Sequence, residues 1–408
     1  MNLAAEFGTP LYVFDELGLR NKCAEFKQEF CQRYTDTTVI YSAKAFINKA
    51  LAQLFSDEGL GLDVVSAGEM SIAHSAGLPM DRVYFPGNNK SAEELKLALE
   101  WGVGCIVVDN FQELNLLGEL AREWGNQVDI LLRLSPGVDP HTHRYIITGN
   151  LDSKFGLPMV HGEKALTTAM VMPQFKLRGL HFHIGSQITE LEPYRQAIDI
   201  ILGFAAEMKK KHGFEMEELS IGGGFAVQYT LDKSAPSIAD YAEAMTSTVT
   251  NGCKKLGLAP PRLIVEPGRA VVGQSGVALY TVGVIKDIPG VRRYVSVDGG
   301  MGDNIRPALY GAEHEAVAAN KMRERETDKV TVAGKFCESG DIIIKDIMLP
   351  PLVAGDILAV ADCGAYCLPL ASNYNASLKP AVVLVKEGKP RLIRRRESFD
   401  DLTRFDLV

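Results

Sequence analysis

A lysine that ends an apolar run is the first residue of this chain that could do chemistry. Lys44 follows Val39–Ala43, a run typical of a buried strand. Removing an ammonium group from water costs free energy unless the group is paired, and burial lowers its pKa from about 10.4 toward that of a nucleophilic amine. Such an amine can form a Schiff base with an aldehyde. Taken alone, Lys44 is better explained as a side chain that extends to the rim and is solvated.

A later strand ends in a carboxylate, Glu266, which Pro267, Gly268 and Arg269 follow. This carboxylate could hold a proton on a ring nitrogen, and Gly268 with Arg269 could bind a phosphate or a carboxylate. A surface ion pair between Glu266 and Arg269 is the alternative. Gly222–Gly224 follows another strand, and its backbone N–H groups could close on an anion. A tight turn explains a lone glycine triplet at least as well.

Two histidines, His181 and His183, are two residues apart on one strand, so their side chains share a face. No neighbouring carboxylate completes a metal site with them. We therefore expect the flat imidazole of His183 to cover one face of an aromatic cofactor, and His181 to be a satisfied core residue. Cys363 and Cys367 lack the second pair or nearby histidine of a zinc site, so we interpret them as core residues. No metal site is predicted.

Alternating strands and helices must position these residues. Helices such as Asn48–Glu58, Ser91–Glu100 and Phe111–Trp124 separate the predicted strands. The alternation predicts an α/β fold with a parallel sheet, and eight units predict a (β/α)8 TIM barrel with functional groups at the C-terminal strand ends. The eight predicted strands are Val39–Lys44, Gly61–Val65, Arg82–Phe85, Cys105–Val108, Ile130–Leu134, Leu177–Ile184, Glu218–Ile221 and Arg262–Val265. Their polar or glycine ends are Lys44, Asp63 with Ser66, Asn88, Arg133, His183 with Ser186, Gly222–Gly224, and Glu266 with Gly268 and Arg269.

The pattern changes after Gly273, where turns rich in Gly, Pro and Asp separate strands with little helix between them. We predict a second, mainly β-sheet or β-barrel domain there. The run Pro10–Phe14 is also strand-like and is expected to join it. The predicted domains are a barrel domain at 30–272 and a β domain formed by 1–29 and 273–408. The predicted strands of the β domain are Val277–Ile285, Tyr294–Val297, Lys329–Ala333, Asp356–Val360 and Ala381–Val385.

Composition argues against several classes of function. With 408 residues, 46% hydrophobic and 23% charged, the chain is expected to be a soluble protein of two domains. A net charge of −8 argues against nucleic-acid binding. No apolar stretch approaches the roughly 18 residues of a membrane span, and the N-terminus lacks a signal-peptide pattern. The seven cysteines follow no disulfide pattern, so a cytoplasmic location without membrane contact is expected.

Five motifs of the barrel domain, taken in order along the chain, resemble those of the fold-type III pyridoxal-phosphate decarboxylases. That family joins an alanine-racemase-like barrel to a β domain, and it includes ornithine, arginine and diaminopimelate decarboxylases. The resemblance covers essentially the whole chain. Its motifs in the barrel domain are Ile40–Ala45, Asp63–Glu69, His181–Ser186, Gly222–Phe225 and Glu266–Arg269.

The second domain is similar to that of the diaminopimelate decarboxylases in particular. Two departures occur: Gly302 stands where that family more often has Ser, and Arg144–Gly149 is a variant of its loop. Neither departure removes a charged ligand. The matching motifs are Asp298–Met301, Asn304–Gly311, Cys337–Asp341, Gly364–Tyr366 and Ala371–Asn375, together with His141–His143 and Ser153–Gly156 in the barrel domain.

The resemblance implies that pyridoxal 5'-phosphate is the cofactor. Lys44 would hold it as a Schiff base, Glu266 would keep its ring nitrogen protonated, and His183 would lie against its ring. Cys337 would return a proton to the carbon that loses CO2, since a thiol with a pKa of about 8.5 can act as a general acid near neutral pH. Other implied cofactor-binding residues are Asp63, Ser186, Gly222, Gly223, Gly224, Gly268, Arg269 and Tyr366.

Charged residues away from the reacting carbon would select the substrate. The resemblance implies that Arg306 and Tyr310, with Arg269, hold the distal carboxylate of meso-2,6-diaminopimelate. Glu338 would pair with the distal ammonium, and Tyr366 would also contact the substrate. A structural salt bridge is the alternative explanation of Arg306.

The implied reaction is decarboxylation of meso-2,6-diaminopimelate to L-lysine and CO2, the last step of lysine biosynthesis. A homodimer with shared sites is also implied, because in this family the segment with Cys337 reaches the neighbouring subunit's site. One alternative is a sister decarboxylase that acts on D-ornithine, D-lysine or a related amino acid. Another is a catalytically silent, cofactor-binding regulatory paralogue, which the presence of Lys44, Glu266 and Cys337 disfavours.

Overall fold

The computed structural model describes residues 2–139 and 153–408, so His141–His143 and Arg144–Gly149 lie outside the described residues. Contacts divide the chain into two compact units. The division at residues 30 and 272 stays a prediction, and the compact units have somewhat different bounds. The barrel unit comprises Lys22–Ala226 and Ala235–Gly268, and the sheet unit comprises Met1–Asn21, Val227–Ser234 and Arg269–Val408.

Parallel strands of the barrel unit pair in a closed ring, which confirms the predicted (β/α)8 barrel. The first strand, Thr37–Ser42, pairs with the last, Arg262–Val265, and closes the ring. Side chains from five strands form one buried cluster, as expected for a packed barrel: Ile40, Tyr84, Cys105, Val107, Leu131 and Ile264. Within the described residues the eight strands are Thr37–Ser42, Gly61–Asp63, Val83–Phe85, Cys105–Val108, Val128–Ser135, Phe175–His181, Glu218–Ser220 and Arg262–Val265. The short strand Leu157–Pro158 pairs with Val128–Ser135.

Side-chain caps begin several barrel helices directly after the strand ends. Asn48 accepts from the Leu51 N–H, and Ser66 accepts from the Glu69 N–H. Such caps satisfy backbone donors that a helix start leaves unpaired. The helices are Glu16–Arg33, which contains the boundary between the units, then Lys49–Asp57, Ala67–Ser75, Ala92–Glu100, Phe111–Trp124, Met159–Met170, Glu192–His212 and Ile238–Leu256, with 3₁₀ turns at Ala43–Ala45 and Met80–Arg82.

The N-terminal strand Leu11–Asp15 lies inside the sheet of the second unit, as predicted. It pairs antiparallel with Gly276–Ile288 and parallel with Ala381–Lys386. Leu11, Leu279, Ile357, Ala381 and Val383 form a buried cluster there. As far as the unit is described, its remaining strands are Arg292–Val297, Ala316–Ala318, Asp328–Ala333, Ile342–Leu349, Ile357–Val360 and Lys389–Arg394. Its helices are Asn2–Phe7, Arg269–Val272, Arg306–Tyr310 and Phe399–Thr403, with 3₁₀ turns at Leu368–Leu370 and Tyr374–Ala376.

Three strands of the sheet unit were not predicted from the sequence. Ile342–Leu349 contains Lys345 and Asp346, and Asp346 adopts a positive φ of 59°, which interrupts the alternation of a regular strand. Ala316–Ala318 and Lys389–Arg394 are short or polar. None of the helices within 2–139 and 153–408 combines the length and the apolarity needed to cross a membrane.

Candidate active site

Lys44 lies in a 3₁₀ turn, Ala43–Ala45, directly after the first barrel strand. Its side chain is 37% exposed and its Nζ lies 3.5 Å from Oδ2 of Asp63. The side chain is therefore only partly withdrawn from water, as the alternative of a side chain that extends to the rim describes. Lys44 also lines a cavity of about 310 Å³ within the barrel unit, together with Asn88, Arg133, His181, His183 and Glu266.

Asp63, the end of the second barrel strand, is fully buried beside Lys44. The Ser42 hydroxyl donates a hydrogen bond to Oδ2 of Asp63 at 2.5 Å. Burial raises the pKa of Asp63, while the Lys44 charge opposes that shift. Oδ1 has no hydrogen-bond partner among the described residues, so one buried oxygen at this site remains to accept a ligand's proton.

Glu266 and His181 form a buried pair. His181 Nε2 lies 3.1 Å from Oε1 of Glu266, and Ser220 donates to the same oxygen at 2.7 Å. Burial by itself would raise the pKa of Glu266, but His181 and then Lys44 outweigh burial and hold that pKa well below its usual value. Because Glu266 is only 4% exposed, the surface ion pair with Arg269 is excluded.

The interpretation of His181 as a core residue was incomplete. The side chain is 1% exposed, as a core residue would be, but it lines the cavity and contacts the Glu266 carboxylate. The two-residue spacing from His183, which puts both rings on one face of the strand, could have revealed this role. Arg133 lines the cavity as well and packs over the Phe155 ring, with 4.7 Å from Cζ to the ring centre.

The glycine triplet packs against His183. The Gly223 N–H donates to His183 Nδ1 at 3.1 Å, and a Cβ on Gly222 would come within 2.7 Å of the same nitrogen. Desolvation inside the barrel lowers the pKa of His183 well below its usual value, so the ring is neutral and carries its proton on Nε2. The Gly222 N–H donates to Ser220 Oγ at 3.3 Å.

The turn after Glu266 packs directly on the turn that carries Lys44. Ser42 donates its N–H to the Pro267 carbonyl at 2.9 Å. A Cβ on Gly268 would lie 3.1 Å from the Cβ atoms of Ala45 and Ser42, so glycine permits this close approach. Ser186 is half-buried beyond the strand that ends at His181.

Arg306, in the sheet unit, is a buried cation. Its side chain is 4% exposed, and its Nη1 lies 3.5 Å from Nε2 of His314. His314 Nδ1 lies 3.1 Å from the Ala361 carbonyl and donates to it, so Nε2 can accept. Burial and the Arg306 charge lower the pKa of His314 to about 3, so this histidine is neutral. Arg306 also forms a hydrogen bond with the Cys367 sulfur, and its charge acts on the Asp362 carboxylate, but no carboxylate among residues 2–139 and 153–408 lies within ion-pair distance of it, which argues against the structural salt bridge.

Two aromatic rings contact Arg269, another predicted substrate ligand of the sheet unit. Arg269 Cζ lies 4.8 Å from the centre of the Tyr366 ring, and Arg269 Nη1 donates to the Tyr229 hydroxyl at 2.7 Å. Tyr310 is half-buried on the same short helix as Arg306, one turn further on. The sequence did not single out Tyr229; its position seven residues after the start of the glycine triplet is the signal that was available.

Cys337 and Glu338 lie on an exposed segment of the sheet unit. The Cys337 N–H donates to Asn375 Oδ1 at 2.9 Å, and the Tyr374 hydroxyl donates to the Cys337 carbonyl at 3.2 Å. These contacts fix the backbone of the segment and leave both side chains at the surface. Cys363 and Cys367 are buried, in agreement with their interpretation as core residues.

Comparison with known proteins identifies the family. The sequence profile of the pyridoxal-dependent decarboxylases, pyridoxal binding domain, matches residues 18–273. The diaminopimelate decarboxylase of Bacillus subtilis (strain 168) is 46% identical over 407 residues, which are 99% of this chain and 93% of that protein. The chain belongs to the diaminopimelate decarboxylase family. The corresponding protein of Synechocystis sp. is 42% identical, with 100% of this chain and 88% of that protein covered.

Solved diaminopimelate decarboxylases share the whole fold. The crystal structure of the M. jannaschii protein in complex with L-lysine matches with a TM-score of 0.94 and 37% identity, covering 100% of this chain and 94% of that one. The Helicobacter pylori protein complexed with L-lysine matches with a TM-score of 0.92 and 32% identity, covering 99% and 98%. Members of the diaminopimelate decarboxylase family are pyridoxal-phosphate-dependent lyases, and this chain is one of them.

Proposed function

We propose that this chain decarboxylates meso-2,6-diaminopimelate to L-lysine and CO2, the last step of lysine biosynthesis. The observation that carries the substrate assignment is Arg306, a buried cation whose hydrogen-bond partners among the described residues are His314 and Cys367 rather than a carboxylate. A buried unpaired charge is costly, so it favours a ligand that brings an anion. Two relatives have been solved with L-lysine, which keeps the distal carboxylate of diaminopimelate.

The barrel cavity suits pyridoxal phosphate. Lys44 would be the amine that holds the cofactor through its aldehyde group, and Asp63 accepts a hydrogen bond from Lys44 on Oδ2 and offers Oδ1 to the ligand. Glu266, kept ionised by His181, would keep the ring nitrogen protonated, and neutral His183 would lie against the ring. When bound, the cofactor supplies an electron sink for the electron pair that departing CO2 leaves behind.

Backbone groups and polar side chains hold the phosphate in this proposal. The Gly224 N–H, Ser186 and the backbone at Gly268, all of which belong to the barrel unit, would donate hydrogen bonds to it. Arg269, which follows Gly268 directly along the chain, would supply a positive charge, and the Tyr366 hydroxyl would donate a hydrogen bond.

Cys337 returns the proton to the reacting carbon, and Glu338 pairs with the distal ammonium of the substrate. Both side chains are exposed on their own subunit, which supports action in the site of a second copy and hence a homodimer. A cytoplasmic location is part of the proposal. It is supported by the cysteines, all seven of which are free thiols in the structure.

Substrate choice follows from the distal carboxylate. Arg306 and Tyr310 bind it, so an amino acid without that group would leave Arg306 buried and unpaired. Sites built to pair a polar group reject analogues that lack the group by on the order of 10⁴-fold. D-Lysine and D-ornithine are such analogues, since each carries only the carboxylate that reacts.

Steady-state CO2 release by the cofactor-loaded enzyme tests the assignment with meso-diaminopimelate, D-lysine and D-ornithine. We expect kcat/KM for meso-diaminopimelate to exceed the other two by at least about 10³-fold. Faster turnover of either D-amino acid would instead identify a sister decarboxylase. Cofactor binding with no turnover of any of the three would identify a silent paralogue.

A further inference from the structure

Tyr229 lies between the two arginines that the proposed function assigns to anion binding. Arg306 Cζ is 4.5 Å from the centre of the Tyr229 ring, and Arg269 Cζ is 5.7 Å from it. Arg269 also donates from Nη1 to the Tyr229 hydroxyl at 2.7 Å. One half-buried side chain therefore contacts both cations, through its ring and through its oxygen.

Two guanidinium groups beside one residue would normally repel each other. The electron-rich face of a tyrosine ring attracts a cation, and the hydroxyl oxygen accepts a hydrogen bond. Neither contact carries a formal negative charge, so neither neutralises the arginines. His314, another neighbour of Arg306, is also uncharged and accepts through Nε2, and the Cys367 sulfur forms a further hydrogen bond with Arg306. Tyr229 thus holds both guanidinium groups in place without neutralising either of them.

The segment that carries Tyr229 is fixed to the sheet unit on both sides. Before it, Gln274 Nε2 donates to the Gln228 carbonyl at 3.2 Å. After it, the Leu231 N–H donates to the Glu315 carboxylate at 2.9 Å, and Lys233 forms an ion pair with Glu313. Tyr229 is consequently placed by its own loop rather than by the arginines alone.

The segment that holds the Tyr229 loop also contains His314. This residue lies between Glu313 and Glu315, and its ring meets the Tyr229 ring edge-on, with the centroids 5.9 Å apart. The segment from Glu313 to Glu315 therefore holds the Tyr229 loop through its two carboxylates, and it contacts Arg306 through His314. A shift of Tyr229 would be transmitted to Arg306 through two contacts, the ring itself and His314.

We propose that Tyr229 is a positioning residue that sets selectivity for the distal carboxylate of the substrate, by holding Arg306 and Arg269 without neutralising them. This inference rests on the proposed function, which makes the distal carboxylate the ligand of Arg306. Tyr229 itself need not touch the substrate. Substituting Tyr229 should therefore weaken the binding of ligands that have the distal carboxylate and not of ligands that lack it.

Binding of two ligands to the cofactor-loaded enzyme tests this dependence. L-Lysine retains the distal carboxylate, whereas 1,5-diaminopentane is L-lysine without it. Titration calorimetry gives both dissociation constants for the wild type, Tyr229→Leu and Tyr229→Phe. We expect Tyr229→Leu to weaken L-lysine binding by about tenfold and to leave 1,5-diaminopentane unchanged. Tyr229→Phe keeps the ring against Arg306 and should weaken L-lysine binding by only about threefold.

Tyr294→Leu is the matched control. Tyr294 packs beside Arg292 in the same sheet unit, with 5.9 Å from Cζ to the ring centre, and has no part in the proposed site. This variant should bind both ligands as the wild type does. With meso-diaminopimelate, KM should rise about tenfold in Tyr229→Leu while kcat changes less.

Several results would overturn the inference. Equal weakening of both ligands in Tyr229→Leu would show a merely structural role, and unchanged L-lysine binding would show no role. If Tyr229→Leu does not fold, Tyr229→Phe decides alone, and an unselective or absent effect refutes the proposal. Wild-type enzyme that binds both ligands equally would instead refute the substrate assignment, together with the premise for Tyr229.

Discussion

At the scale of single residues, two lysines line the barrel cavity and differ in their hydrogen bonds. Lys90 donates to Glu113 at 2.7 Å and to the carbonyls of Val107 and Gly87 at 2.8 Å each. Burial lowers the pKa of Lys90, but all three of its donors are engaged. Lys44 lies instead at the C-terminal end of a barrel strand, where barrel enzymes carry their reactive groups.

Borohydride reduction of the cofactor-loaded enzyme should therefore fix the pyridoxyl group on Lys44. Peptide mapping by mass spectrometry is expected to find the label there and none on Lys90. Lys44→Arg should lose the label and lower kcat by on the order of 10³-fold or more, because arginine keeps the charge but supplies no primary amine. A label on Lys90 in the wild type would contradict the assignment.

The Glu266–His181 pair predicts a pH effect. Since the pKa of Glu266 lies well below its usual value, its carboxylate stays ionised down to that lowered pKa, and its contribution is lost only when the pH falls through it. In His181→Asn, burial becomes the dominant influence and raises the pKa of Glu266. The acid limb of the kcat/KM profile should move to higher pH, as measured from pH 5 to 9.

Ser220→Ala makes a smaller change to the surroundings of Glu266 than His181→Asn does. It removes one hydrogen bond to Glu266 Oε1, so the acid limb should move in the same direction by a smaller amount. Profiles of His181→Asn and wild type that coincide would show that His181 does not keep Glu266 ionised.

At the scale of elements, the glycine triplet joins two barrel strands and a histidine. A Cβ on Gly223 would lie 2.2 Å from the Glu266 carbonyl oxygen, so Gly223→Ala forces the two strand ends apart. We expect this variant to lower the free energy of unfolding by about 1–3 kcal/mol and to reduce kcat, because Glu266 and His183 both shift. Thermal unfolding and steady-state rates measure the two effects.

Gly203→Ala is the matched control for that substitution. Gly203 is exposed within the helix Glu192–His212, and a Cβ there meets nothing within 4 Å. Alanine should therefore raise the free energy of unfolding by roughly 0.5–1 kcal/mol through helix propensity, with kcat unchanged. Equal stabilities of the two variants would show that the triplet tolerates a side chain.

At the scale of the whole molecule, the proposed dimer predicts complementation. Lys44→Ala and Cys337→Ala should each be nearly inactive alone. If Cys337 serves the neighbouring subunit, a mixed dimer has one intact site, and an equal mixture should regain about a quarter of wild-type activity after subunit exchange. If Cys337 serves its own chain, exchange verified by co-purification of differently tagged subunits will restore nothing.

Much of the fold could be predicted because, in the barrel, the apolar runs of the sequence are also the segments that the fold buries. Its strands are short apolar runs and its helices begin at capping residues such as Asn48 and Ser66, so the observed bounds fall close to those expected. The prediction failed where the local pattern is broken. In Ile342–Leu349 the pairing with Asp328–Ala333 holds together a strand that Lys345 and Asp346 interrupt. Tertiary pairing overrides propensity there.

The sequence by itself determined the barrel fold and, through its resemblance to the pyridoxal-phosphate decarboxylases, the class of chemistry, since Lys44, Glu266 and the glycine triplet stand at strand ends and strand order puts such ends on one rim. Only the tertiary structure decided how those groups are tuned. The ionisation of Glu266 depends on His181, and the positive charge of Arg306 on neutral His314 and Tyr229. His181 and Glu266, like Tyr229 and Arg306, are tens of residues apart along the chain. Desolvation and Coulomb interaction depend on distance in space, which no spacing along the chain reports.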